Sequence, residues 1–354
     1  GNLIHQEITS RNYISKMDKI IKNDDITEFM QIASLDFLKL TLCGENEEKD
    51  DTPLIRACRH NAFKIIDFLL KNGADVNQTK PNGITPLYIS AQDGKDSIVE
   101  TLLKLGALPN QQANSEFDCA APLHIAATHE HVTTIKLLLA YGADPNLISL
   151  AGNTALHAAA ETGNIDVLEA LISTASIAKI NLNIHNKCGY TPLWFSIEKK
   201  QHKFAACLIK HGADVNCREL NGVTPLLHAM LNDDFAAVDL VLENHADVNM
   251  QCKNGSSALF TAIVKDNIRY VDLLLQRGAN PNISCNASVY FQSNTPEQNW
   301  KLCPLHCATL GKGNNSCRII CSLLEKGASI DKLDTKGKTA LIYAVCIKDR
   351  KSVV

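Results

Sequence analysis

One six-residue phrase, recurring nine times, constrains this chain more than anything else in it. Its fullest forms are Thr52-Pro53-Leu54-Ile55-Arg56-Ala57, Thr85-Pro86-Leu87-Tyr88-Ile89-Ser90 and Ala121-Pro122-Leu123-His124-Ile125-Ala126, and it restarts at Thr154, Thr191, Thr224, Ser257, Cys303 and Thr339. Successive second residues lie 33, 36, 33, 37, 33, 33, 46 and 36 positions apart. A length of 354 residues exceeds one ordinary core and leaves either two domains or growth by repetition. The period selects repetition: one small unit, unable to bury its own apolar faces, is copied and stacked.

The punctuation inside each copy has a physical reading. Thr before Pro puts a hydroxyl N-cap ahead of a proline whose fixed φ and missing N–H suit a first helical turn. About twenty residues on comes Gly-Ala-Asp-Val-Asn or a relative, at Gly73–Asn77, Gly106–Asn110, Gly142–Asn146, Gly212–Asn216, His245–Asn249, Gly278–Asn282 and Gly327–Asp331. Its glycine suits a left-handed helix end. Between start and stop the apolar spacing predicts two short helices, such as Leu87 to Ala91 and Ile98 to Leu103, split by the turn Asp93-Gly94-Lys95. Aromatics at 5% agree, because small aliphatic residues must fill such an interior.

These residues resemble the ankyrin repeat over about Asp51 to Asp334, which implies an all-α repeat solenoid of helix-turn-helix units with projecting β-turn fingers. The resemblance also implies a curved stack whose concave face and fingers grip another protein. The domain reading is a degenerate helical cap over 1–48, eight repeats over 49–335 with an insertion at about 283–302, and a truncated ninth repeat over 336–354. Helical periodicity marks Met17 to Ile21 and Ile26 to Leu40 within the cap. The acidic run from Glu45 to Asp51 reads as a solvated loop, or else a patch for a basic partner. A repeat cut short at Val354 implies that the native protein continues.

Partner contacts are expected where the unit leaves side chains free to vary: beside the finger glycine and just past the inner helix's small residues. That selects Phe117, Asp118 and His129, then Asn153 and Glu161, then Tyr190, Glu198 and Lys199, then Leu231 and Asn232, with Thr128, Thr162, Val223, Val264 and Lys265 as neighbours. Trp300 joins them from the insertion, where it accompanies Tyr290 and Phe291 among polar residues; folding back onto its own repeat is the competing reading. The mixture of aromatic, apolar and oppositely charged groups suits a protein partner. Trp194 reads as inter-repeat packing.

Chemistry is weighed against register. Cys303, His306, Cys307, Cys317 and Cys321 could together suggest zinc, but the repeat places Cys303 at the cap, Cys307 on the inner helix and the other two on the second helix, as buried small hydrophobes. His124, His157 and His306 share one repeat position, so the resemblance implies hydrogen bonds to neighbouring loop backbone. No catalytic residue, cofactor site or metal site is assigned, and no phosphate loop or dinucleotide fingerprint occurs. A formal charge of -3 argues against nucleic acid, and no apolar run reaches the roughly 18 residues of a membrane span. Thirteen unevenly spaced cysteines do not form a disulfide framework and place the chain in a reducing cytoplasm, as a monomer. The resemblance further implies asparaginyl hydroxylation at Asn77, Asn216 or Asn249. The leading function is a protein-protein interaction scaffold; the alternatives are the substrate-recruiting module of a larger enzyme or a secreted host-targeting effector.

Overall fold

Each recurring phrase opens a short helix, and in several a hydroxyl does the capping, though Ala121 and Cys303 have none to offer. Thr52, Thr85, Thr191 and Thr224 stand in extended backbone, and each Oγ1 accepts the N–H three residues on at 3.0–3.2 Å. The computed structural model describes residues 15–32, 51–173, 179–286, 300–311 and 313–351. Within the unit Gly1–Lys187 the inner and outer helices pair as Pro53–Arg59 with Phe63–Lys71, Pro86–Gln92 with Asp96–Lys104, Pro122–Thr128 with Val132–Ala140, and Ala155–Thr162 with Ile165–Ser173. Within Cys188–Val354 the pairs are Pro192–Glu198 with His202–Lys210, Pro225–Leu231 with Phe235–Glu243, Ala258–Val264 with Ile268–Gln276, and Pro304–Leu310 with Ser316–Glu325, followed by Ala340–Lys351.

Small residues let inner helices approach. Ala126, Ala127, Ala159 and Ala160 are fully buried, while outer helices contribute Ile135, Leu138, Val167 and Leu171 to the same layers. The asparagine closing each terminator is the rung between repeats. Asn77 donates from Nδ2 to the Gly106 carbonyl at 3.2 Å and accepts Leu108 N–H on Oδ1 at 2.9 Å. Asn110 repeats the pattern with Gly142 and Asp144, and Asn249 with Gly278 and Asn280. One carboxamide therefore satisfies a donor and an acceptor that a helix end leaves open.

Ahead of the first pair, 15–22 and Ile26–Ile32 are helical and bury Met17, Ile20, Ile21 and Phe29, the last edge-on to Phe68 at 6.0 Å. The remainder of the expected cap, residues 33–40 included, lies outside the described residues. Asp51 corrects the solvated-loop reading of the acidic run at its one described position. It is fully buried, with Oδ2 accepting Arg59 Nε at 2.6 Å and Oδ1 lying 3.0 Å from the buried Lys80 ammonium. A carboxylate can be buried there because two cations replace its water. The insertion's ends form a short antiparallel ladder, Cys285 opposite Leu302 and Asn286 opposite Lys301; Tyr290 and Phe291 lie outside the described residues.

Candidate partner-binding surface

In three repeats the residue after Pro-Leu ties its helix to the finger that follows. His124 donates from Nε2 to the Asn153 carbonyl at 3.0 Å, and His306 to the Lys338 carbonyl at 2.9 Å. Trp194 does the same work with its indole, donating to the Val223 carbonyl at 3.2 Å while only 4% exposed. The imidazole of His157 receives the Thr154 N–H on Nδ1 at 3.1 Å. His124, His306 and Trp194 tie their helices to the following finger, while His157 bonds its own cap at Thr154.

In the N-terminal unit the expected site residues are mostly committed to contacts within the stack. Phe117 ends a one-turn segment, Ser115–Phe117, and packs half-buried against Ile55, Ile84, Tyr88 and Ile89. Asp118 takes a left-handed φ of 52° and pins the next finger, its carbonyl accepting Leu150 N–H and its Oδ1 accepting Ala151 N–H, both at 2.7 Å. Asn153 accepts Asn186 Nδ2 at 2.9 Å. His129 stacks 6.1 Å from His131, whose Nε2 meets the Gln92 carbonyl at 2.9 Å. Glu161 is exposed at the end of its inner helix.

The C-terminal unit brings five of its predicted residues together. Tyr190 lies flat on Trp194 at 4.0 Å and 7°, and Trp194 meets His228 at 4.5 Å. His228 Nε2 is 2.6 Å from the Glu198 carboxylate, and Asn232 donates to the His228 carbonyl at 3.1 Å. Lys199 sits 5.2 Å over Phe195, which in turn flanks Tyr190 at 6.4 Å. Leu231 is 49% exposed beside them. Burial holds His228 below its ordinary pKa despite Glu198, so at neutral pH the pair is a hydrogen bond on an uncharged ring. Tyr190, Glu198, Lys199, Leu231 and Asn232 thus share one patch with Phe195 and His228, which the sequence reading overlooked. The signal was present: Phe195 and His228 precede the chosen residues by three and four positions, which is one helix face. Trp300 is elsewhere, half-buried, donating to Asp334 at 2.9 Å with Lys336 stacked 3.7 Å over its ring, both in the finger that follows.

The thiols separate along the same lines. Cys303 and Cys307 are buried, but Cys317 and Cys321 are exposed, correcting the expectation that all were buried. Both sit on the face of Ser316–Glu325 opposite Ile319 and Leu323, the side chains that face the core. Among the described residues no group of three or more His, Cys, Asp or Glu has the arrangement to hold a metal. Cys303 Sγ lies 2.6 Å from His306 Nδ1. Burial opposes ionisation of both, yet the contact draws the Cys303 thiol below and His306 above their ordinary values.

Known proteins share the repeat fold. The family described as "Ankyrin repeats (3 copies)" matches residues 29–113, 123–219, 175–252 and 202–286. A putative ankyrin repeat protein, FPV031, of Fowlpox virus (strain NVSL) is 28% identical over 189 residues, covering 52% of this chain and 54% of the relative. The nuclear factor NF-kappa-B p105 subunit of Gallus gallus is 32% identical over 169 residues, 46% of this chain and 16% of that protein. The crystal structure of the ankyrin repeat domain of Bcl-3 superimposes with a TM-score of 0.58 at 27% identity, over 69% of this chain and 99% of that one. The chain thus spans about half the length of the viral relative and a sixth of the avian one.

Proposed function

The chain belongs to the ankyrin-repeat family, and from that premise we propose that it is a non-catalytic scaffold gripping a partner protein by the ends of its inner helices and their fingers. The observation that carries this is the C-terminal patch: Tyr190 and Phe195 are held by stacking, Glu198 and Asn232 by His228, while Leu231 stays exposed. Such groups lose little freedom on binding, so affinity comes from a few anchors rather than from area. Phe117, Asp118, His129, Asn153 and Glu161 belong to the proposed surface of the N-terminal unit, with the first two also positioning it. The reading takes the scaffold to be monomeric and cytoplasmic; among the described residues no helix is long and apolar enough to cross a membrane.

Affinity capture with the wild type and with Tyr190→Ala/Leu231→Ala tests the site. The variant should keep its melting temperature within a few degrees and lose the proteins that the wild type retains. Equal retention by both would move the site elsewhere. A second reading, a recruiting module of a larger enzyme or a host-targeting effector, is favoured by the coverage, since the relatives extend well past the matched repeats. Sequencing the complete coding region decides it, an attached catalytic domain supporting the first form.

A further inference from the structure

The described parts of the fingers in the C-terminal unit are linked one to the next. Lys253 N–H donates to the Asn221 carbonyl at 2.8 Å, Gln251 Nε2 to the Ser284 carbonyl at 2.9 Å, and Lys301 N–H to Thr335 Oγ1 at 2.9 Å. Along this strip Arg218, Lys253, Lys301, Lys336 and Lys338 are all exposed. Among the described residues two acids of the strip, Glu219 and Asp334, are held by hydrogen bonds from the fingers themselves. Glu219 Oε1 accepts the N–H groups of Asn221 and Val223 at 2.8 and 3.0 Å. Asp334, 7% exposed, accepts Trp300, Tyr343 and the N–H groups of Lys336 and Lys338. Asp214, Asp247 and Asp331 are exposed at the finger bases, where the first two also accept the N–H two residues on.

This asymmetry is not a property of fingers in general. In the N-terminal unit the finger charges are mixed: Lys80 is buried against Asp51, Asp75 and Glu116 are exposed, and so is Lys187. A row of like charges on a chain of net charge -3 adds self-repulsion and no packing, so folding does not require it. Between the cations stand Leu220 and Leu333, 57% and 58% exposed. The aromatic faces nearby, Trp300 and Tyr343, are covered by Lys336 and Lys338 at 3.7 and 5.5 Å, which removes the stacking platform that single-stranded nucleic acid uses.

We propose that the finger strip of the C-terminal unit docks an acidic, leucine-bearing segment of a partner protein, its carboxylates meeting Arg218, Lys253, Lys301 and Lys336 and its aliphatic side chains meeting Leu220 and Leu333. The proposal rests on the protein-binding reading but uses a different surface from the Tyr190 patch.

The test is fluorescence anisotropy of the full chain with a labelled peptide of repeated Glu-Glu-Leu, about fifteen residues long, beside a Lys-Lys-Leu peptide and an oligonucleotide of matched length. The acidic peptide should bind, weaken with added salt, and lose at least about tenfold in affinity on Arg218→Glu/Lys253→Glu/Lys301→Glu/Lys336→Glu, consistent with several modest surface pairs. The corresponding Gln variant, which adds no new repulsion, should fall between the two. Tyr190→Ala/Leu231→Ala should leave this affinity within about twofold, so failure of the strip and failure of the patch read out separately. Tighter binding of the oligonucleotide, equal binding of the basic peptide, or unchanged affinity in both charge variants would each overturn the docking assignment.

Discussion

His124 and His306 occupy the same repeat position and donate from Nε2 to a carbonyl of the following finger, yet they face different caps on Nδ1. His124 has only the Ala121 N–H there, and burial holds its pKa below the ordinary value near 6.5. His306 faces the Cys303 thiol, and its pKa is raised in spite of burial. The signs of the linkage therefore oppose. His124 contributes stability that is present above about pH 6.5 and lost as pH falls through its folded value, whereas His306 contributes stability present below about 6.5 and lost as pH rises through its folded value. In an NMR titration of the imidazole signals His306 should titrate above His124, and Cys303→Thr should bring His306 down. The reverse order would disprove the Cys303 contact. Tyr270 offers a simpler case. It is 2% exposed, its hydroxyl has no hydrogen-bond partner, and burial pushes its pKa up to about 12. Tyr270→Phe removes an unsatisfied polar atom while keeping the ring on Phe235, so the denaturant midpoint should rise by the equivalent of about 1 kcal/mol. A lower midpoint would mean the hydroxyl is engaged.

At the scale of the element, the terminator decides how an outer helix ends. Gly212 has a φ of 96° with open space around the missing Cβ, and the equivalent residue of the following repeat is His245 at 64°. A side chain in that region costs roughly 1 kcal/mol relative to glycine. His245→Gly should therefore stabilise its repeat by up to about 1 kcal/mol, and Gly212→His should destabilise by a similar amount, both read from denaturant melts. No change in either would remove backbone strain as the reason for the glycine. The helix pairs were legible because period, cap and terminator coincide: Leu87 to Ala91 and Ile98 to Leu103 fall inside Pro86–Gln92 and Asp96–Lys104. The site was less legible, for a reason of geometry. Proximity to a finger glycine was read as availability to a partner, but Asp118 uses that proximity to pin the next finger, and Phe117 uses it to cover a small core. What separates these from Tyr190 or Leu231 is which neighbour each side chain meets, and one repeat's pattern does not encode its neighbour's. Cys317 and Cys321 make the same point on a second helix, where composition looked apolar but the face turned to water.

Across the molecule, stability should be distributed repeat by repeat, because each unit buries apolar surface mainly against its sequence neighbours. Long arrays of this kind lose all-or-none cooperativity, so a core lesson learned in one place need not be felt everywhere. Leu138 is fully buried on Val132–Ala140, where the adjacent outer helices Asp96–Lys104 and Ile165–Ser173 pack. Leu138→Ala should cost about 2–5 kcal/mol, from lost transfer energy and the cavity left behind. A deletion of that size exceeds the opening energy of many local segments, so it should appear as local exposure before global unfolding. Hydrogen exchange followed by mass spectrometry should then show lost protection in peptides spanning Asp96–Ser173, with peptides from Pro225–Gln276 keeping their wild-type protection. Uniform loss along the chain would instead mark a single cooperative unit. In that case a partner holding the C-terminal patch would also stabilise the N-terminal repeats, and binding and folding would be one equilibrium.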